Sequence, residues 1–206
     1  MVSIPSNKKR VIMDLYYNRS LSVPEIAREL GVTIDAAYYF MRKHHLARRD
    51  KFEQNKVTFS KKRPSFKLKK NLNDEEEKLR IAGTMLYWAE GYKTAKATLV
   101  DFANSDPEMI VVFLSLLRDI CGVNELKLRV YLYCYSNQNP SLLVNYWSTL
   151  TKISKAQFTK PYVRKDYDLS KVNKMKKGLI HIRYHDKKLL LLIMDWIEEY
   201  ASSLRR

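Results

Sequence analysis

The sequence predicts an α+β chain, in which an all-α N-terminal part precedes a domain with helices on one face of a mostly antiparallel sheet. Three observations carry this reading. Capping signals near residues 22 and 33 each open a short amphipathic helix. Residues 126–135 alternate strictly between apolar and polar side chains, the two-residue period of a strand with one buried face. Residues 81–91 form an uncharged apolar stretch that ends on a lone carboxylate and a glycine, Glu90-Gly91.

The N-terminal part, up to about residue 50, divides into three short helices. Ser22-Val-Pro-Glu25 is a capping box with proline in the first turn. The helix it opens places Ile26, Ala27 and Leu30 on one side. Gly31 makes the turn, and Thr33 caps a third helix whose core face is Ala37, Phe40 and Met41. That leaves Thr33, Asp35, Ala36, Tyr38, Tyr39 and Arg42 available to a nucleic-acid groove. The run from Glu25 to Tyr38 resembles the helix-turn-helix of many bacterial regulators and recombinases, with Ala27 at the crowded crossing and Gly31 at the turn.

Charge accumulates next. From Arg42 to Lys70 the cations are Arg42, Lys43, Arg48, Arg49, Lys51, Lys56, Lys61, Lys62, Arg63, Lys67, Lys69 and Lys70, opposed by Asp50 and Glu53 alone. No apolar period emerges, and Phe52, Phe59 and Phe66 stand isolated. Residues 51–73 are therefore expected to be an extended basic linker that tracks phosphates. The acidic run Asn73–Glu77 marks its end, because carboxylates suit the first turn of a helix.

From residue 74 to 206 strands and helices alternate. The apolar helix is followed by a strand near 96–104, a helix over 107–121 and a strand over 126–135. A helix over 140–153, strands near 158–164 and 178–184, and a last helix over 187–204 complete the order. In the strand over 126–135, Leu126, Leu128, Val130, Leu132 and Cys134 share the oily face, while Lys127, Arg129, Tyr131, Tyr133 and Tyr135 share the other. Lys160, Tyr162 and Arg164 share a face in the next strand, as do His181 and Arg183 in the last. A sheet with helices behind it and Lys, Arg and Tyr in front fits a DNA major groove.

Composition agrees with a polyanion partner. The 38 Lys and Arg against 22 Asp and Glu give a formal charge of +16 and an isoelectric point near 9.7. The longest apolar runs, such as 189–194, are far shorter than the ~18–20 residues of a membrane span, and residues 1–10 hold no hydrophobic signal core. A cytoplasmic protein is expected. Cys121 and Cys134 lack CxxC spacing, so neither a disulfide framework nor a zinc site is expected.

The segment from Gly83 to Gly91 resembles the LAGLIDADG motif of the homing-endonuclease fold, with Glu90 at the place of the motif's metal-binding acid. Met85 stands where that family has its tightly packed interior glycine. The resemblance extends over roughly residues 74–204 and includes the stretch 99–110, similar to the strand-to-helix passage after the motif in intein-type members. It implies a saddle of antiparallel strands laid on DNA and two motif helices packed side by side at a dimer centre. Their contact is expected through Ala82, Gly83, Leu86 and Ala89, and a chain with one motif needs a second chain.

Two functions remain open on this reading. One is a homodimeric, sequence-selective duplex-DNA-binding regulator, since bacterial regulators joining a degenerate LAGLIDADG domain to a helix-turn-helix form a known family. The other is a metal-dependent homing-type endonuclease, in which Glu90 of each subunit binds Mg2+ and positions water for phosphodiester hydrolysis. On the nuclease reading, Lys187 or Lys188, just past the last strand, is the cation expected near the scissile phosphate. The regulator reading needs no cofactor. An RNA-binding role is disfavoured, because a recognition helix suits a B-form major groove and not the deep, narrow groove of A-form RNA.

Overall fold

A computed structural model describes residues 4–165 and 175–205. The chain divides into two compact units, Met1–Arg63 and Pro64–Arg206. Among the described residues no helix is long and apolar enough to cross a membrane.

The first unit is all helical. Helix α1 spans residues 6–18 and its last turn widens to i→i+5 hydrogen bonding, with Arg19 N–H reaching the Asp14 carbonyl at 2.9 Å. Helices α2 (Val23–Glu29) and α3 (Ile34–Lys43) follow. The Ser22 hydroxyl accepts from the Glu25 N–H while the Glu25 carboxylate accepts from the Ser22 N–H, so the expected capping box is formed. Gly31 takes a left-handed φ of +65°, which a side chain would strain, between the two helices. The core is Ile12, Leu15, Tyr16, Val23, Ile26, Ala27, Ala37, Phe40 and Met41.

The expected extended linker is in part a helix. Helix α4 covers Lys51–Lys61, opened by a capping box between Asp50 and Glu53. The signal was present as Asp50-Lys-Phe-Glu53, acid or hydroxyl cap followed three residues later by Glu; the cation density obscured it. From Pro64 onward the basic stretch belongs to the second unit. Lys67 N–H donates to the Gly122 carbonyl, Lys69 N–H donates to that of Ile120, and Phe66 bridges Val123 and packs on the core.

In the second unit α5 (Asp74–Glu90) is capped by Asn73 and Glu76, as the acidic boundary suggested. Then come β1 (Val100–Asn104), α6 (107–120, ending in another widened turn), β2 (Leu128–Tyr135), α7 (Pro140–Thr151), β3 (Tyr162–Arg164), β4 (Leu179–Tyr184) and α8 (Lys187–Leu204). Strands begin later than the alternation suggested: residues 125–127 form a short 3-10 turn, and Phe158 contributes one isolated bridge to Val130. The sheet order is β1-β4-β2-β3. The β1–β4 and β2–β4 pairs are antiparallel, but β2–β3 is parallel, so the sheet is mixed.

Helices α5–α8 cover the oily face of the sheet. Phe102 and Phe113 stack at 4.3 Å, Tyr87 lies against Phe113 at 5.6 Å, and Trp147 of α7 is fully buried with its indole N–H on the Lys177 carbonyl. Arg80 ties α5 to α8. Its guanidinium grips Glu77, donates to the Tyr200 hydroxyl and lies over the Trp196 ring at 5.3 Å. Asp186, the N-cap of α8, also accepts from the N–H and hydroxyl of Ser65, anchoring the start of this unit. Burial alone would raise the Asp186 carboxyl, but these donors outweigh it and hold it below the usual range. Cys121 and Cys134 are buried free thiols, and burial pushes Cys121 up to about 12, too high for thiolate chemistry.

Candidate nucleic-acid interface

The helix-turn-helix presents one face of α3 to solvent. Its Ala37, Phe40 and Met41 point inward, so Thr33, Asp35, Tyr39 and Arg42 are exposed, while Tyr38 is half-buried beneath the Arg48 guanidinium at 5.0 Å. Tyr39 is 61 % exposed. The Thr33 hydroxyl is committed to the Ala36 N–H as the helix cap. A groove lined by Pro5, Asp35, Tyr39, Arg42 and Lys43 runs between residues 4–6 and α3.

Not every cation expected at this surface is offered to it. Arg49 turns inward: its guanidinium lies over the Tyr16 ring at 4.1 Å and donates to the carbonyls of Leu21 and Tyr16, while its N–H meets the Tyr16 hydroxyl at 2.7 Å. Its place is structural, joining the segment after α3 to α1. Lys61 lies 3.4 Å from Glu25. The Glu25 carboxyl is held below the usual range chiefly by the Ser22 N–H and hydroxyl, with Lys61 adding to this. Arg48, Lys62 and Arg63 are exposed.

The second unit carries a different surface. Register puts Asp101 and Ala103 of β1, His181 and Arg183 of β4, Arg129, Tyr131, Tyr133 and Tyr135 of β2, and Tyr162 and Arg164 of β3 on the face opposite the helices. Lys127 and Lys160 are exposed but lie outside the strands, in the short turn before β2 and the segment before β3. Aromatic and cationic side chains interleave: Tyr133 lies 5.4 Å from Tyr162 and 5.0 Å from His181, and Arg164 lies over Tyr135.

Residues 3–85 match the family model described as "Putative helix-turn-helix protein, YlxM / p13 like". The match spans the whole of the first unit's described helices and ends within α5. No curated protein and no solved structure matches the chain.

Asp101 was not singled out by the sequence. It sits on the basic face yet is only 7 % exposed, with Oδ1 at 2.8 Å from His181 Nδ1 and Oδ2 accepting from Arg183 Nε at 2.7 Å. Arg183 in turn lies over the Tyr131 ring at 4.0 Å. Burial alone would lower the Arg183 guanidinium, but Asp101 beside it more than compensates, so it stays charged. A single Asp in a short β-run carries no sequence signal; only strand pairing brings its partners to it.

Helix α5 divides its apolar surface. Gly83 is buried, and a Cβ built on it would stand 2.6 Å from Leu116 Cβ of α6, while Leu86 packs on the same core. These two residues, expected at a dimer contact, therefore serve the fold of their own chain. Ala82, Trp88 and Ala89 are exposed, Trp88 by 41 %, and Met85 on the same side is half-buried. Their spacing of three and four residues makes one stripe.

Glu90 is the exposed last residue of α5, beside Gly91, which bridges Phe102 of β1. Lys93 folds back to donate to the Tyr87 and Gly91 carbonyls, satisfying the helix end. Lys187 is exposed in the first turn of α8 and Lys188 is half-buried there. Among the described residues no group of three His, Cys, Asp or Glu side chains is placed to hold a metal ion.

Proposed function

We propose that the protein is a sequence-selective duplex-DNA-binding protein, a transcriptional regulator that acts as a homodimer through a LAGLIDADG-like second unit. The observation that carries this is the helix-turn-helix: α2 and α3 bury Ala27 and Ala37 in one core, and α3 offers Tyr39 and Arg42 to solvent at the spacing of one helical face. The match of residues 3–85 to a helix-turn-helix family supports it. On this reading Thr33, Asp35, Tyr38, Tyr39 and Arg42 enter the major groove, and Arg48, Lys61, Lys62 and Arg63 contact phosphates. Lys127, Arg129, Tyr131, Tyr133, Lys160, Arg164 and Arg183 form a second contact surface. The test is selection from a randomised duplex library with and without Mg2+. Enrichment of a defined site in both conditions supports the reading; uniform recovery of all sequences counts against it.

Dimerisation runs through the exposed Ala82, Trp88 and Ala89 with the half-buried Met85 between them, an apolar stripe at helical spacing. Two carboxylates set into such a contact face low dielectric without partners. Trp88→Glu with Ala89→Glu is accordingly expected to convert the protein to a monomer in sedimentation at micromolar concentration, with unchanged melting of each unit's secondary structure. A wild type that is itself monomeric under those conditions removes the dimer from the proposal.

A second reading, Mg2+-dependent cleavage, is favoured by one observation: Glu90 is exposed at the end of the same helix, so pairing of two α5 helices would bring two Glu90 side chains toward each other. Hard oxygen ligands of this kind suit Mg2+, which would activate water when bound. Glu90→Gln separates the readings. A nuclease loses scission of its selected site while keeping affinity; a regulator shows no metal-dependent scission in either form and binds nearly unchanged.

A further inference from the structure

Within the four strands Asp101 is the one acidic side chain. A carboxylate beside the Arg, His and Tyr side chains of this face opposes a polyanion, and its near-complete burial adds a desolvation cost unless it is well paired. Here it is fully engaged, one oxygen with His181 and the other with Arg183. The local sum of Asp101 and Arg183 is zero. This centre is therefore a poor phosphate site, while the cations around it, Arg129 among them, keep their charge.

What the pairing does achieve is orientation. A free arginine samples many rotamers, and fixing it costs side-chain entropy. Arg183 has two restraints already in place: its Nε is tied at 2.7 Å to Asp101 Oδ2, and its guanidinium carbon lies 4.0 Å from the centre of the Tyr131 ring. Nε is committed to Asp101 and the Tyr131 hydroxyl takes a further guanidinium donor; the remaining Nη N–H groups lie in one plane and can still present two parallel donors. A phosphate, tolerant of direction, gains little from such fixation. A base edge gains a great deal, because the N7 and O6 acceptors of guanine accept two parallel N–H bonds only from a guanidinium in their plane. Position agrees: β4 is an inner strand, between β1 and β2, so Arg183 stands within the face and not on its rim.

We infer that Arg183, buttressed by Asp101 and seated on Tyr131, reads a guanine in the major groove, and that Asp101 is the positioning residue for that contact. The inference rests on the DNA-binding reading above and assigns the base, and the side chain, that this surface recognises.

Full-length wild type, Arg183→Lys and Asp101→Asn are each put through selection on a randomised duplex library, and the affinities for the preferred site and for single-base variants are then compared. Arg183→Lys keeps the charge and loses the fork. It is expected to lose preference for guanine at one position by roughly 5- to 150-fold, the range of a good bidentate contact, while its affinity for unrelated duplex stays within a few-fold. Asp101→Asn should relax the same position and no other, with affinity for unrelated duplex equal or higher; a merely structural role would lower all affinities together. A further measurement needs no variant. Replacing guanines in the preferred site one at a time with 7-deazaguanine removes N7, and wild type should lose affinity at one position in each half-site, a loss absent from Arg183→Lys. An Arg183→Lys protein with the wild-type preference at every position, or a wild type indifferent to every 7-deazaguanine, overturns the inference while leaving DNA binding intact. A wild type without selective duplex binding overturns both.

Discussion

Raising the salt from 50 to 200 mM is expected to weaken duplex binding by roughly 10³- to 10⁵-fold, the effect of releasing counterions from ~6 to 10 neutralised phosphates. The exposed cations available for this include Arg42, Lys43, Arg48, Lys61, Lys62 and Arg63 in the first unit and Lys127 and Lys160 in the second. Arg49 is not in this set because its donors are spent on the Leu21 and Tyr16 carbonyls. Measured affinity plotted logarithmically against salt gives the number of contacts directly. Lys62→Ala with Arg63→Ala should reduce the slope by about two and weaken all duplexes alike. Arg49→Ala should instead lower the melting temperature of the first unit, through lost hydrogen bonds and lost packing on Tyr16. A slope near zero would remove phosphate neutralisation, and with it the reading of the +16 charge.

The second large effect concerns Gly83. The sequence placed it at a contact between chains, where a larger residue would wedge two helices apart. The fold places it against Leu116, with a Cβ direction leading to 2.6 Å from Leu116 Cβ and 2.8 Å from its Cδ2. Ordinary carbon contacts lie at ~3.5–4.0 Å. The Leu116 Cβ is bonded to the backbone of α6 and moves only if that helix moves. Gly83→Leu is therefore expected to destabilise residues 64–206 by at least the ~1–3 kcal/mol typical of overpacking, read as an earlier urea transition for that unit. The transition of the first unit should not shift. Monomerisation with undiminished stability would return Gly83 to the interface and contradict the packing described here. The Trp88→Glu, Ala89→Glu protein supplies the contrast, since both positions are open to solvent.

These two residues show where a sequence is informative and where it is not. The interval 81–89 contains no charge, so it signals burial without saying which side faces inward. Gly83 and Ala82 are both small, and no local signal says which of them turns inward. Tertiary packing chose between them, turning Gly83, Thr84 and Tyr87 inward and leaving Ala82, Trp88 and Ala89 outside. Where polarity does vary along a helix, as at Ala37, Phe40 and Met41 against Asp35 and Arg42, the buried face was legible beforehand.

Elements set by neighbours within a few residues were determined by the sequence itself. Ser22 with Glu25, Thr33, Asn73 with Glu76, Asp106 before Pro107 and Asn139 before Pro140 each start a helix, because the cap bonds N–H groups two or three positions on. The alternation over 128–135 likewise fixed which side chains of β2 face the core, as adjacent side chains of a strand must point to opposite sides. The strand order β1-β4-β2-β3, the parallel pairing of β2 with β3 and the inward turn of Arg49 were decided only in three dimensions. So was the meeting of Asp101 with His181 and Arg183, 80 and 82 residues away. Pairing across such distances follows from which apolar faces find each other in the collapsed chain, and that is a property of the whole core, not of any local run of residues.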